Sequence, residues 1–176
     1  MDIIKEQAGC IITALIISLP LLIIIRWFLK KELEAKRLEY ITGVKKEVIP
    51  QKLQAYERLT LLLERLTPES LVLREQHQGM SSLRFHSHLL RAVRKEFDHN
   101  LAMQVYIPAK TWEFVEQART ELLKLINTSA ASVNPESSSI ELGRTIIENS
   151  ITEVNFRFKK ALDALKNDVE LLYKQS

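Results

Sequence analysis

The chain has 176 residues, 46% of them hydrophobic, with only four glycines and five prolines. Such a composition excludes a disordered chain and disfavours a sheet-rich fold built on many hairpins. The formal charge of +3 lies mostly in residues 1–31, where Lys5, Arg26, Lys30 and Lys31 face only Asp2 and Glu6, so the later chain has no basic footprint for a nucleic acid.

Residues 1–7 are expected to be a short extracytoplasmic N-terminus. "AGCIITALIISLPLLIII", residues 8–25, contains 18 consecutive uncharged residues, and Trp27-Phe28-Leu29 extend it beyond Arg26. At a rise of about 1.5 Å per residue, residues 8–29 reach roughly 33 Å, enough for a hydrocarbon core of about 30 Å. The spacing predicts a transmembrane helix over 8–29. Pro20 would remove one hydrogen bond within it, which membrane helices tolerate. Cys10 is the single cysteine, so no intrachain disulfide can form. Ala8-Gly9-Cys10 imitates a lipoprotein cleavage site, but the apolar run follows the cysteine, the reverse of a signal peptide.

Only Lys5 precedes the span, whereas Arg26, Lys30, Lys31, Lys36 and Arg37 follow it. The positive-inside rule therefore puts the N-terminus outside and the long C-terminal part in the cytoplasm. Arg26, Trp27, Lys30 and Lys31 are the expected membrane-interface residues, since cationic side chains snorkel and tryptophan suits the headgroup layer. The lipid bilayer is thus the first expected partner.

Residues 30–49 predict a polar helical neck, weakened at Gly43 and ended by Pro50. Residues 50–132 predict the core of a helical bundle. Its first helix covers 51–66, and Thr67 and Pro68 are the N-cap and first position of a short helix to about 75. Gly79 marks the next turn, with Ser81 as cap.

From 82 to 105, Leu89, Leu90, Val93, Phe97, Leu101 and Val105 follow helical spacing. Pro108 opens another helix, with Trp112, Val115, Ala118, Leu122, Leu125 and Ile126 on one face. The short intervening loop predicts a hairpin or sharp kink between the two. "NTSAASVNPESSS", residues 127–139, is the one Ser/Asn-rich linker, with Asn134-Pro135 as a helix start.

Residues 133–176 end in a single predicted amphipathic helix over 140–174. Ile147, Ile151, Val154, Phe158, Ala161, Leu165, Val169 and Leu172 lie within about 40° of one direction. The stripe packs on the bundle or self-associates as a coiled coil. The fold class is therefore all-α: transmembrane helix, neck, and cytoplasmic bundle with a long C-terminal helix.

In "YERLTLLLERL", residues 56–66, the face containing Ala55, Tyr56, Leu59, Leu62, Leu63 and Leu66 seats the helix on a core. Glu57 and Glu64 form an acidic line on the other side, and Arg58 and Arg65 a basic line. Leu61 falls between the two lines. An isolated exposed leucine is ordinary; the alternative is a second covered surface. Glu57, Arg58, Leu61, Glu64 and Arg65 form a candidate interaction surface, and Phe156, which points off the C-terminal stripe, is a further candidate.

Catalytic constellations are missing from the sequence. There is no phosphate-binding glycine loop and no nucleophile elbow. His86 and His88 diverge by about 200° on a helix and cannot share a metal face. Glu96-x-x-His99 matches one element of a di-iron bundle, a site that needs two such elements and two further glutamates. The expectation is a non-enzymatic, membrane-tethered interaction or scaffold protein with no cofactor, metal or small-molecule substrate, and with a protein partner or self-association. The alternatives are a self-assembling coiled-coil element and a metal-dependent enzyme using Glu96 and His99.

"PQKLQAYERLTLLLERLTPESLVLR" (50–74) and "EFDHNLAMQVYIPAKTWEFVEQARTELLKLIN" (96–127), placed after the apolar segment, resemble a family of small single-pass membrane proteins of Bacteroidetes-type bacteria. The resemblance covers most of residues 1–127. It implies an inner-membrane location and supplies no activity, cofactor or site residue.

Overall fold

The computed structural model describes the chain apart from Met1, Thr152 and Ser176, and nothing is stated of the side chains of residues 2–19, 21, 41, 42, 44, 45 and 175. Among the described residues six α-helices follow one another: α1 (Asp2–Leu66), α2 (Pro68–Glu75), α3 (Ser82–Asn100), α4 (Ala109–Ala131), α5 (Ser139–Asn149) and α6 (Glu153–Gln175). A 3-10 segment, Leu101–Tyr106, joins α3 to α4. The chain divides into two compact units, Met1–Val48 and Ile49–Ser176.

In the first unit, α1 carries exposed Arg26, Trp27, Lys30 and Lys31. The Lys31 ammonium stands 5.3 Å from the centre of the Trp27 ring, a cation–π distance. Among the described residues no helix is long and apolar enough to cross a membrane. Much of the predicted span, residues 8–19, lies outside the described side chains. Proline does not end the neck: α1 runs unbroken through Gly43 and Pro50 to Leu66. Pro50 costs the helix its own N–H bond.

The second unit is all-helical around one core. The last turns of α1 bury Ala55, Tyr56, Leu59, Leu62, Leu63 and Leu66, the predicted face. Pro68 occupies the first turn of α2, but the Thr67 hydroxyl donates back to the Glu64 carbonyl at 3.0 Å instead of capping α2. Gly79 takes a positive φ of 76°, and Ser81 caps α3 by accepting from the Arg84 amide.

Phe85, Leu89, Val93 and Phe97 of α3 are buried. The predicted stripe ends there, four turns along: the chain tightens into the 3-10 segment, and Leu101 and Val105 are exposed. The turn folds α4 back along α3. A His86 Nε2–Asn127 Oδ1 hydrogen bond of 2.9 Å joins the start of α3 to the far end of α4, so the pair is an antiparallel hairpin. All six predicted core residues of α4, from Trp112 to Ile126, are buried.

Asn134-Pro135 does not begin the next helix. Those residues form a turn, and Ser138 caps α5 instead, its hydroxyl accepting from the Ile140 amide. A short antiparallel clasp fixes this turn. The Ser82 amide donates to the Ser137 carbonyl at 2.8 Å, and the Ser139 amide donates to the Met80 carbonyl at 2.9 Å. The buried Ser82 hydroxyl is satisfied by Ser137 and Ser138, so the polar linker can sit against the core. The clasp sets the N-termini of α3 and α5 side by side.

The predicted single helix over 140–174 is two helices, broken between Asn149 and Glu153. The break buries the Ser150 hydroxyl, which donates to the Ile147 carbonyl at 2.8 Å. A serine that bonds its own preceding turn competes with helix continuation. Ile151, expected on the stripe, is exposed. Beyond the break, Val154, Phe158, Ala161 and Leu165 are buried in the chain's own core, where α6 packs on α4. Of the two expectations for this stripe, packing on the bundle and self-association, the first describes these four residues. Thr111 of α4 donates to Asp168 of α6 at 2.6 Å, and Arg157 of α6 donates to Gln117 of α4 at 3.2 Å, which makes the two helices antiparallel.

Candidate functional site

The end of α1 and the end of α6 border a groove of about 690 Å³. From α1 come Leu53, Tyr56, Glu57, Thr60 and Leu61, and from α6 come Leu165, Lys166, Val169, Glu170 and Tyr173. Tyr56 is buried at the edge of the groove, beside Asp168, whose carboxylate accepts from the Thr111 hydroxyl at 2.6 Å and so ties α6 to α4. Burial first, then the charge and hydrogen bond of Asp168, push Tyr56 up from 10.0 to about 12.

Leu61 stands on the lip of this groove with 61% of its surface exposed. The same turns that seat Leu59, Leu62 and Leu63 at under 2% exposure rotate Leu61 outward. Glu57 shares the lip, and Arg58 and Glu64 are exposed nearby on the same helix. Arg65 is exposed one helical turn beyond Leu61 and reaches toward α3, and neither it nor Phe156, 57% exposed near the start of α6, lines the groove. Of the six predicted interaction residues, the structure brings only Glu57 and Leu61 to the groove itself.

Sequence reasoning missed the α6 side. Lys166, Val169, Glu170 and Tyr173 share one helical face, with pairs three and four residues apart, a signal hidden because Val169 also continues the core stripe. Val169 is half-buried and Tyr173 exposed, so the last two turns of α6 form a wall of the groove as well as an edge of the core.

Arg65 faces α3. Its Nη2 and Nε donate to Glu96 Oε1 at 2.7 and 3.1 Å, and Arg74 Nη2 lies 4.0 Å from the same oxygen. Next to them, Glu75 accepts from Arg74 at 2.8 Å and pairs with His88 at 2.9 Å. Burial works against the Glu75 charge, but the bonds from Arg74 and His88 prevail and hold its carboxyl below the usual range. The surface is a polar ion-pair network. Glu96, the carboxylate of the Glu-x-x-His element, is engaged by guanidinium groups while His99 is exposed. Among the described residues no group of three or more His, Cys, Asp or Glu is arranged to hold a metal.

The profile of a family of unknown function, DUF7935, matches residues 2–172. The chain belongs to the DUF7935 family. The match runs from the start of α1 into α6. No curated protein and no solved structure matches the chain.

Proposed function

We propose that this DUF7935 protein is a non-enzymatic, membrane-tethered interaction protein that presents the α1–α6 groove to a protein partner. The observation that carries the reading is Leu61, a large apolar side chain exposed on the lip of an apolar groove between α1 and α6. Grooves between helices are common docking sites for an amphipathic segment. The exposed Glu57, Lys166 and Glu170 supply a polar rim, the usual frame of a binding patch. Tethering concentrates a weak binder near its partners, so modest affinity suffices.

The tether itself rests on the sequence: 18 uncharged residues followed by Arg26, Trp27, Lys30 and Lys31. The reading assigns a single pass in a bacterial inner membrane, N-terminus outside and bundle in the cytoplasm. Alkaline phosphatase fused after Ser176 is expected to be inactive and a cytoplasmic reporter active. The opposite pair of results overturns the orientation, and recovery of the full chain without membranes overturns the tether.

Affinity capture of the full chain from gently solubilised, crosslinked membranes tests the docking reading. The expected result is a protein attached through α1 or α6, either another species or a further copy. A chain recovered with nothing attached contradicts it.

A further inference from the structure

The charges around Leu61 restrict what can occupy this face. Glu57 and Glu64 lie on one side of it and Arg58 and Arg65 on the other, each pair seven residues apart. A seven-residue recurrence drifts only about 20° around a helix, so each pair forms a line nearly parallel to the axis. All four side chains and Leu61 are exposed. Glu57, Arg58 and Glu64 make no ion pair among the described residues. Arg65 directs Nε and Nη2 to Glu96, which leaves the donors of Nη1 for a second carboxylate.

We propose that the occupant is a second copy of this chain, its α1 lying parallel and in register with the first. The proposal deepens the docking reading above and rests on it. Two parallel helices related by a two-fold axis along their length face each other left side to right side. The acidic line of each copy then meets the basic line of the other. Glu57 comes opposite the second copy's Arg58, and Glu64 opposite its Arg65, with the two Leu61 side chains meeting at the axis. This is the arrangement in which flanking charges set partner and orientation in paired helices. An antiparallel pair would place acidic line against acidic line and basic against basic. The pattern therefore selects one orientation and opposes the other, which a solvated face has no need to do.

The parallel orientation is also the one available to two chains tethered in the same leaflet by the same end. One leucine per copy and exposed ion pairs make a weak contact, screened by salt. A shared bilayer supplies the effective concentration that such a contact needs.

The test uses full chains carrying two different tags, co-expressed and recovered from membranes at low salt. The parent is expected to bring down its other-tagged copy. Glu57→Arg/Glu64→Arg makes both lines basic, and Arg58→Glu/Arg65→Glu makes both acidic. Each variant alone is expected to lose recovery of its own second copy about tenfold, through like-charge contact. Co-expression of the two variants together is expected to restore it, which also shows that both fold. The single exchanges Glu57→Arg and Arg58→Glu leave the Arg65–Glu96 contact intact and are expected to follow the same pattern with a smaller change.

Self-recovery of either double variant at the parental level overturns the proposal, as does a mixture no better than its components. If parent copies never recover one another while another protein is captured, the second-copy proposal falls and the docking reading stands. If nothing is captured at all, both fall.

Discussion

Phe85→Ala should cost about 3–5 kcal/mol of stability, the usual loss for deleting a buried aromatic. Phe85 has 0% of its surface exposed and sits where α3 meets α5, one residue-width from Gly143. Its ring cannot be replaced by water in an apolar site, and the clasp between the Met80–Ser82 and Ser137–Ser139 segments limits how far α3 and α5 can close on the void. A loss of this size takes away a large share of a typical domain's stability. Thermal unfolding of the full chain, followed by the loss of helical signal from the bundle, should shift down by about 10–20 °C. The control is Leu83→Ala, two residues away and exposed, which should change stability by no more than about 0.5 kcal/mol. Equal shifts for the two variants would contradict the placement of α3.

Gly143→Leu should cost about 2–3 kcal/mol by overpacking. A Cβ built on Gly143 stands 2.9 Å from Val72 Cγ1, closer than carbon atoms pack, and 3.7 Å from Phe85 Cε1. Val72 is β-branched and stiff at χ1, so its methyl cannot simply swing aside. The helix-propensity gain on replacing glycine, about 1 kcal/mol, opposes the clash without cancelling it. Glycine is thus required here for close approach of α5 to α2, with no unusual backbone angle involved. Gly43→Leu is the matched comparison, because a Cβ there meets nothing within 4 Å. Chemical denaturation of the two variants should show a reduced midpoint for Gly143→Leu alone. A Gly143→Leu chain as stable as the parent would mean that α5 does not lie against α2 as described.

Much of this fold is legible in the sequence wherever one face of a helix meets the core. The apolar period located α4, the buried face of α1 and the buried run of α3. Turn chemistry located the start of α2 at Pro68, the turn at Gly79 and the cap at Ser81. The errors occur where tertiary contacts overrule local pattern. The period running through Ile147, Ile151 and Val154 contains no glycine or proline, yet the chain breaks there because Ser150 is buried and bonds its own turn. Pro50 is a breaker by every local rule, yet α1 passes through it. Asn134-Pro135 has the form of a helix start, but the clasp with Met80 and Ser82 holds it as a turn.

The candidate site was half legible. Leu61 stood out because it broke the helical pattern of its own segment, and pattern-breaking is a local property. Its neighbours Val169 and Tyr173 lie more than a hundred positions further on. Only the antiparallel packing of α6 on α4, fixed by Thr111 and Asp168, brings them beside it. No local spacing encodes that juxtaposition. In the same way, the local Glu-x-x-His spacing offered Glu96 only ordinary polar contacts or, as an alternative, a metal, whereas its partner is Arg65 from 31 positions away.

The central claim is that α1 has two working faces, one in the core and one for docking. Leu61→Ser tests it most directly, compared with Leu59→Ser in the same full chain. Leu59 is fully buried, so Leu59→Ser should lower thermal stability and impair recovery of attached proteins only through unfolding. Leu61→Ser should leave the unfolding temperature at the parental value and still abolish recovery of whatever the parent captures. A Leu61→Ser chain that folds and captures as the parent does would return Leu61 to the ordinary surface leucines and contradict the account.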